Sequence, residues 1–357
     1  VKRKKDLSQY RKQIDAVDKE IVTLLHSRAE SVKKIAQLKN SASMEVYDPA
    51  REAAVLENLK KVKKGPFPLK GIEAVYSEIF SVSRYLQRGV TVSYLGPIAT
   101  YSHLAAVNRF GKMTNYSPAV SIKEVFSEVE KGNADYGCVP IENSTEGAVN
   151  YTYDMFADSD LKICSEILLK IEHCLLSKES RLSAVKTLFI HPQTLGQCRE
   201  WIESNIPGAV IKEVSSNSKA ALEASKIKGG AAIAAELAAE IYGLKVLAKS
   251  VQDMTDNYTR FFIIGKTFSK RTGRDKTSIM VSIKDKPGAL YRLLQPFDNY
   301  HVNLSNIESR PSKKKAWDYL FFVDVEGYAE DKNVKDALEA VAREAGSVKV
   351  LGSYPRF

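Results

Sequence analysis

The chain has 357 residues, 44% of them apolar and 27% charged, with a formal net charge of +10. That length fits two or three domains with ordinary cores, and no apolar run approaches the ~20 residues of a membrane-spanning helix. The basic excess sits in short runs, Lys2–Lys5, Lys60–Lys64 and Lys313–Lys315, without any nucleic-acid-binding pattern beside them, so small acidic substrates are the expected partners and nucleic acid and membrane are not.

The first six residues are basic but lack the apolar core of a secretory signal. Cys138, Cys164, Cys174 and Cys198 show no metal-ligand spacing and read as free buried thiols of a cytoplasmic protein, with no metal site expected.

From Leu7 onward apolar residues recur in steps of three and four: Leu7, Tyr10, Ile14, Val17, Ile21, Leu24, then Arg28, Ser31, Ile35 and Leu38. This heptad seam predicts a helix over about residues 6–40, roughly 50 Å long. A domain of this size cannot bury so long a rod, so a homo-oligomer, dimer or tetramer, is expected. Arg28 interrupts the seam. A guanidinium cannot shed its proton and is costly to bury alone, so it calls for an anion: a structural carboxylate such as Glu52, or a substrate. Lys39 lies three turns further on, about 16 Å away on nearly the same face, where the two side chains can bracket a small dianion. Arg11 is about 25 Å from Arg28, too far to share that ligand within one helix, but an antiparallel partner helix would bring its own Arg11 there.

Asp48 followed by Pro49 predicts the cap and first position of a second helix, ending near Lys64-Gly65. A third runs over about Leu69–Gln87. Taken singly, its charges and those of the second helix read as solvated positions, and Asp48 as a cap alone. Taken together, Arg11, Arg28, Lys39, Asp48, Arg51, Glu52, Ser83 and Gln87 resemble the helical chorismate mutase domain in residue type and spacing. The resemblance implies an all-α, intertwined long-helix dimer that rearranges chorismate to prephenate without nucleophile or cofactor. It assigns catalysis to Arg28, Lys39 and Gln87, with Lys39 and Gln87 at the ether oxygen. Arg28 and the partner's Arg11 would take the carboxylates, Arg51 and Glu52 the ring-hydroxyl region. Asp48 would orient Lys39 or the second helix, and Ser83 would line the site.

At Gly89 the pattern changes to short apolar strands alternating with helical stretches, an α/β signature: 90–95, 135–141, 187–190, 210–214, 231–235 and 260–265. A long apolar run, Cys164–Leu176, suits a strand passing between two lobes. Four polar segments lie at strand ends, where α/β sites form: 96–102, 140–147, 191–198 and 256–261. Each alone reads as a turn with a helix cap. In this order they resemble prephenate dehydratase, with a two-lobe, periplasmic-binding-protein-like fold. The resemblance implies expulsion of the ring hydroxyl and carbon dioxide from prephenate, giving phenylpyruvate. It assigns Thr259 to the leaving hydroxyl, and Thr100, Ser102, Asn143, Ser144, Thr145, Gln197, Arg260 and Phe261 to the substrate cleft. Glu142, if buried with a raised pKa, is a rival acid. Ala99 and Tyr101 replace the family's usual glycine and phenylalanine.

A polar linker, 268–276, leads to strand 278–283, helix 289–300, strands 302–309 and 317–325, helix 331–344 and strand 348–351. This βαββαβ order is ferredoxin-like. Gly288-Ala289-Leu290, then Asn303 and Glu308-Ser309-Arg310-Pro311, resemble the ACT domain of the same enzymes, which implies phenylalanine as feedback inhibitor. Domains are therefore expected at 1–89, 90–268 and 277–357. Two other readings stay open at this point: a dehydratase whose helical segment only dimerises, and a non-enzymatic amino-acid sensor.

Overall fold

The computed structural model describes residues 7–41, 44–62, 65–283, 286–311 and 319–356. The lysine runs at 2–5 and 313–315, Asp6, Lys63, Lys64, Asp285 and Trp317 lie outside them.

Helix α1 (Leu7–Ser41) is continuous over 35 residues. Its seam is open: Leu7, Leu24 and Leu38 are 63%, 68% and 71% exposed, and Val32 and Ala36 are its buried residues. Helix α2 (Pro49–Lys60) starts at its predicted cap, where the Asp48 carboxylate accepts the Arg51 amide. It ends earlier than its sequence suggests, because the Lys61 N–H folds back onto the carbonyls of Asn58 and Leu59. Helix α3 (Leu69–Gln87) packs on α1.

The first lobe holds β1 (Thr91–Leu95), α4 (Tyr101–Phe110), β2 (Asn115–Ala119), α5 (Ile122–Lys131), β3 (Tyr136–Asn143), β4 (Gly147–Ala148), α6 (Asn150–Asp158) and β5 (Lys162–Lys170). The second holds β6 (Cys174–Ser177), β7 (Thr187–Ile190), α7 (Pro192–Gln197), α8 (Arg199–Asn205), β8 (Val210–Glu213), α9 (Asn217–Ala224), β9 (Gly230–Ala234), α10 (Leu237–Tyr242) and β10 (Lys245–Ala248). Strand β11 (Tyr258–Gly265) returns to the first lobe. The sheets run β2-β1-β3-β11-β5, with β4 on β3, and β10-β6-β9-β7-β8. The chain thus crosses between lobes twice. The run Cys164–Leu176, expected as one strand, is two strands broken at 171–173, where the chain changes sheets.

The third unit comprises β12 (Asp275–Ile283), α11 (Ala289–Asn299), β13 (Leu304–Pro311), β14 (Tyr319–Glu326), α12 (Lys332–Glu344) and β15 (Ser347–Pro355). Its antiparallel order β13-β14-β12-β15 is the ferredoxin-like one. The expected linker is shorter, because buried Asp275 accepts the amides of Thr272 and Gly273 and starts β12 early.

The first-lobe sheet is covered on both faces. One face packs Phe126, Phe156 and Phe262 against Met280, Phe322, Leu351 and Tyr354 of the third unit. The other packs Tyr94, Phe110 and Phe261 against Val46 and Tyr47, which join α1 to α2. At the first of these joints a Cβ on Gly352 would stand 2.2 Å from the backbone oxygen of Ile163. Gly352→Ala is expected to force β15 off β5 and cost about 2 kcal/mol, the usual range for overpacking. A thermal melt checks this: a fall of roughly 4–8 °C is expected at 2–4 °C per kcal/mol, and an unchanged midpoint counts against so tight a joint.

Candidate active sites

The helical site is built on α1 and α3. One Arg28 amino group donates to the Ser83 hydroxyl, which itself donates to the Ile79 carbonyl at 2.6 Å. Arg28, Ser83 and Glu78 border a groove of about 590 Å³ whose other walls are apolar, among them Leu25, Val75, Ile79, Val82 and Leu86. The alternative partner, Glu52, is taken elsewhere: it pairs with Arg84, a buried α3 residue whose other amino group donates 2.8 Å to the Phe110 carbonyl. Gln87 gives its amide N–H to the Ser83 carbonyl, and its Oε1 is buried without a hydrogen-bond partner among the described residues. That oxygen is an acceptor waiting for a donor.

Lys39 is not brought to the same cavity. Its ammonium donates to the carbonyls of Glu45 (2.8 Å) and Val46 (3.1 Å). It borders a second space of about 290 Å³ with Tyr47, Asp48, Tyr136, Phe268 and Lys270. Burial lowers its pKa, with Asp48 opposing that shift. Asp48 caps α2 and also accepts from Lys270 at 3.2 Å. Arg11 and Arg51 are exposed on α1 and α2.

The second site lies between the lobes. Asn143, at the end of β3, faces Thr259 in register on β11. Its amide group donates 2.8 Å to the Thr259 hydroxyl, 2.8 Å to the Asn257 side-chain oxygen and 3.3 Å to the Tyr258 carbonyl. Its own oxygen accepts the amides of Thr145 and Glu146. Backbone donors on one side and acceptors on the other fix the amide's orientation. Thr259 therefore receives a proton-bearing contact and keeps its own O–H to give. Ser144 stitches the same turn, donating to the Asp256 carbonyl and accepting the Tyr258 amide.

A polar chain spans the cleft above this pair. Tyr101 contacts the His173 ring at 2.8 Å, His173 meets the Gln197 oxygen at 2.8 Å, and Gln197 reaches Glu146 at 3.4 Å. Gln193 also donates to Glu146, so the second lobe is tied to the first. Burial lowers the His173 pKa and raises that of Tyr101. The Tyr101 hydroxyl also lies 2.9 Å from the Glu172 carbonyl, so its single proton is shared between that oxygen and the ring nitrogen of His173, while a neutral ring donates through its other nitrogen to Gln197. The hydroxyl that distinguishes Tyr101 is thus used.

Four expected cleft residues are placed elsewhere. Arg260 alternates to the opposite face of β11 from Thr259 and is bonded to Glu166 and Asp324. Phe261 is 1% exposed in the core beside Tyr94 and Phe110. Thr100 spends its hydroxyl capping α4 and donating to the Leu95 carbonyl. Ser102 is buried in the first turn of α4. Sequence reasoning missed His173 and Arg84, since neither sits in a motif and each acquires its role from a contact distant in the chain.

A third cavity of about 250 Å³ is lined by Gly288, Ala289, Leu290, Tyr319 and Phe321. Strand register places Ser309 opposite Phe321 and Pro311 opposite Tyr319, so the 308–311 segment adjoins it. Arg310 lies 3.7 Å from Asp154 of the first lobe.

Comparison with known proteins resolves the same three parts. The family models matched are chorismate mutase type II over residues 10–88, prephenate dehydratase over 92–269 and the ACT domain over 277–343. The chain is 45% identical to a bifunctional chorismate mutase/prephenate dehydratase of Aquifex aeolicus and 41% identical to that of Pseudomonas aeruginosa, covering 98% of both chains in each case. Among solved structures it resembles prephenate dehydratase of Arthrobacter aurescens in complex with L-Phe, with a TM-score of 0.68 and 36% identity over 75% of this chain and 90% of that one. Among the described residues no helix is long and apolar enough to cross a membrane.

Proposed function

The chain belongs to the bifunctional chorismate mutase/prephenate dehydratase family, and on that premise we propose that it carries chorismate through prephenate to phenylpyruvate and answers to phenylalanine. The observation that carries the dehydratase half is the Asn143–Thr259 hydrogen bond. In that step the bond to the ring carboxylate breaks, its electron pair enters the ring, and the ring hydroxyl leaves. Hydroxide is a poor leaving group, so a donor must meet it. Thr259, accepting from Asn143, is left with its own proton facing outward and is the proposed donor.

For the mutase half we assign Arg28 to a carboxylate, with Ser83 holding its guanidinium at the edge of the site, the second N–H of the Gln87 amide to the ether oxygen, and Lys39 to the ether oxygen once it leaves the carbonyls of Glu45 and Val46. Arg51 stays with the ring-hydroxyl region. Glu52 acts there through its pairing with Arg84. The open α1 seam is assigned to a second copy, which supplies Arg11. Free buried thiols suit the cytoplasm as the proposed compartment. Domain bounds of 1–89, 90–268 and 277–357 are kept as the working division.

Incubating the full chain with chorismate and following prephenate and phenylpyruvate separately tests the whole reading. Transient prephenate followed by phenylpyruvate is expected; chorismate left unconsumed overturns the mutase half, and accumulated prephenate the dehydratase half.

The cavity beside Gly288 is the proposed phenylalanine site, with Asn303 and 308–311 completing it. Gly288 has φ +74 at the start of α11, a left-handed conformation that side chains resist. Gly288→Val is expected to raise the phenylalanine concentration for half-inhibition at least ~10-fold, the equivalent of about 1.4 kcal/mol. The dehydratase rate ratio with and without phenylalanine is the readout, and an unchanged titration removes the assignment.

A further inference from the structure

We propose that Asp324 of the ferredoxin-like unit is a positioning residue for the dehydratase reaction, acting through Arg260 on Thr259. The inference rests on the dehydratase reading and adds a part to it.

Thr259 and Arg260 are successive residues of β11, so their side chains leave opposite faces of the sheet. Thr259 meets Asn143 on the cleft side. Arg260 turns its guanidinium into the joint with the third unit, where it is 11% exposed. Nε and Nη2 both contact the Glu166 carboxylate, at 2.8 and 2.6 Å, Nη1 contacts Asp324 at 2.6 Å, and Nη2 reaches the Tyr354 hydroxyl at 3.2 Å. The Phe262 ring lies 4.8 Å beneath. Lys276 completes the set on Glu166 at 2.9 and 3.0 Å, and Ser278 donates to Asp324 and meets Tyr354 at 2.7 Å.

Two carboxylates and two cations are therefore closed against one another. Lys276, Ser278, Asp324 and Tyr354 come from β12, β14 and β15, so three strands of the third unit hold one residue of the catalytic strand. A buried charge tolerates few arrangements, because any that leaves it unpaired is heavily penalised. The joint therefore fixes Arg260 tightly. Beside it the pairing of β11 with β3 is irregular between Arg260 and Phe261. Such bulges let a strand re-aim its side chains. A shift of Arg260 is thus transmitted to Thr259 before it is absorbed by the ladder.

The other end of the joint leads to the proposed effector segment. Asp324 is opposite Asn306 on β13, and Glu308 opposite Phe322. The Ser305 hydroxyl also donates to the Asp324 carbonyl at 3.4 Å. Movement of residues 308–311 is carried by the β13–β14 ladder to Asp324. Coupling between sites of this kind needs a physical element that both sites bias, and this carboxylate is placed to be it.

The test uses the full chain and Asp324→Asn, which keeps shape and hydrogen bonding but removes the charge. Dehydratase kcat is expected to fall at least tenfold with KM within threefold. The phenylalanine concentration for half-inhibition is expected to shift at least fivefold. Mutase turnover in the same sample reports intact folding. A variant with wild-type dehydratase kcat and wild-type phenylalanine response overturns the inference and leaves the dehydratase reading standing. A wild-type chain inert toward prephenate overturns both. Should Asp324→Asn fail to fold, Tyr354→Phe removes one hydroxyl from the same joint: a threefold fall in kcat at constant KM is expected, and unchanged kcat and inhibition overturn the proposal.

Discussion

Thr259→Ala is expected to abolish prephenate turnover while chorismate is consumed at the wild-type rate. Proton donation to a leaving group is worth on the order of 10²–10⁴-fold, and the alanine removes the hydroxyl that Asn143 holds. Thr259→Ser keeps the oxygen and the proton but not the methyl group that fixes its rotamer, so it is expected to retain most of kcat. Asn143→Ala gives the intermediate result. It leaves the hydroxyl in place, but removes the contact that directs the hydroxyl's proton outward, and it also unpins the amides of Thr145 and Glu146. The order serine above asparagine-to-alanine above threonine-to-alanine is the signature of a positioned donor. Equal activity in Thr259→Ala and wild type would transfer the role to Glu142 or to a water. Rates of phenylpyruvate formation from added prephenate give the comparison, with mutase activity in the same preparation as the folding control.

The chain's organisation was legible because each unit has its own period. The three-four spacing of α1, the alternating strands after Gly89 and the late βαββαβ order each report one backbone geometry. Arg28 was legible for a related reason: a charge on an apolar stripe must be answered, and Ser83 with the groove beside it is part of the answer. The arithmetic of α1 was weaker for Lys39. Helical rise gives the separation of two Cα atoms, but not where a four-carbon side chain ends, and this one ends on the carbonyls of Glu45 and Val46. Arg260 shows a second limit. Its neighbour Thr259 marked the segment as functional, yet adjacent strand residues face opposite ways, and the face of Arg260 is covered by a unit some 60 residues further along the chain. His173 was invisible for the same reason, since Tyr101 and Gln197 are met in space and not in sequence.

Arg11→Ala and Arg28→Ala are each expected to be dead as mutases and to recover activity when their subunits are exchanged. Along a straight α1 the two guanidinium-bearing positions are about 25 Å apart, so one chain cannot bring both to a dianion a few ångströms long. The open seam, with Leu7, Ile14, Ile21 and Leu24 all exposed, is the surface on which an antiparallel copy would lie, its Arg11 then falling near the first copy's Arg28. Removing either guanidinium forfeits charged contacts worth roughly 1.5–3 kcal/mol each, so losses of about 10²–10³-fold in kcat/KM are expected when more than one contact goes. In a mixed dimer one site carries both lesions and the other carries none. Random exchange of equal amounts makes about half the dimers mixed, each with one intact site of two, so about one quarter of wild-type mutase activity should return, as two-fold symmetry requires. Dehydratase activity, whose residues lie elsewhere, should stay constant through the exchange. A mixture as inactive as its parents would place Arg11 outside the site and leave the seam as a packing surface without a catalytic part.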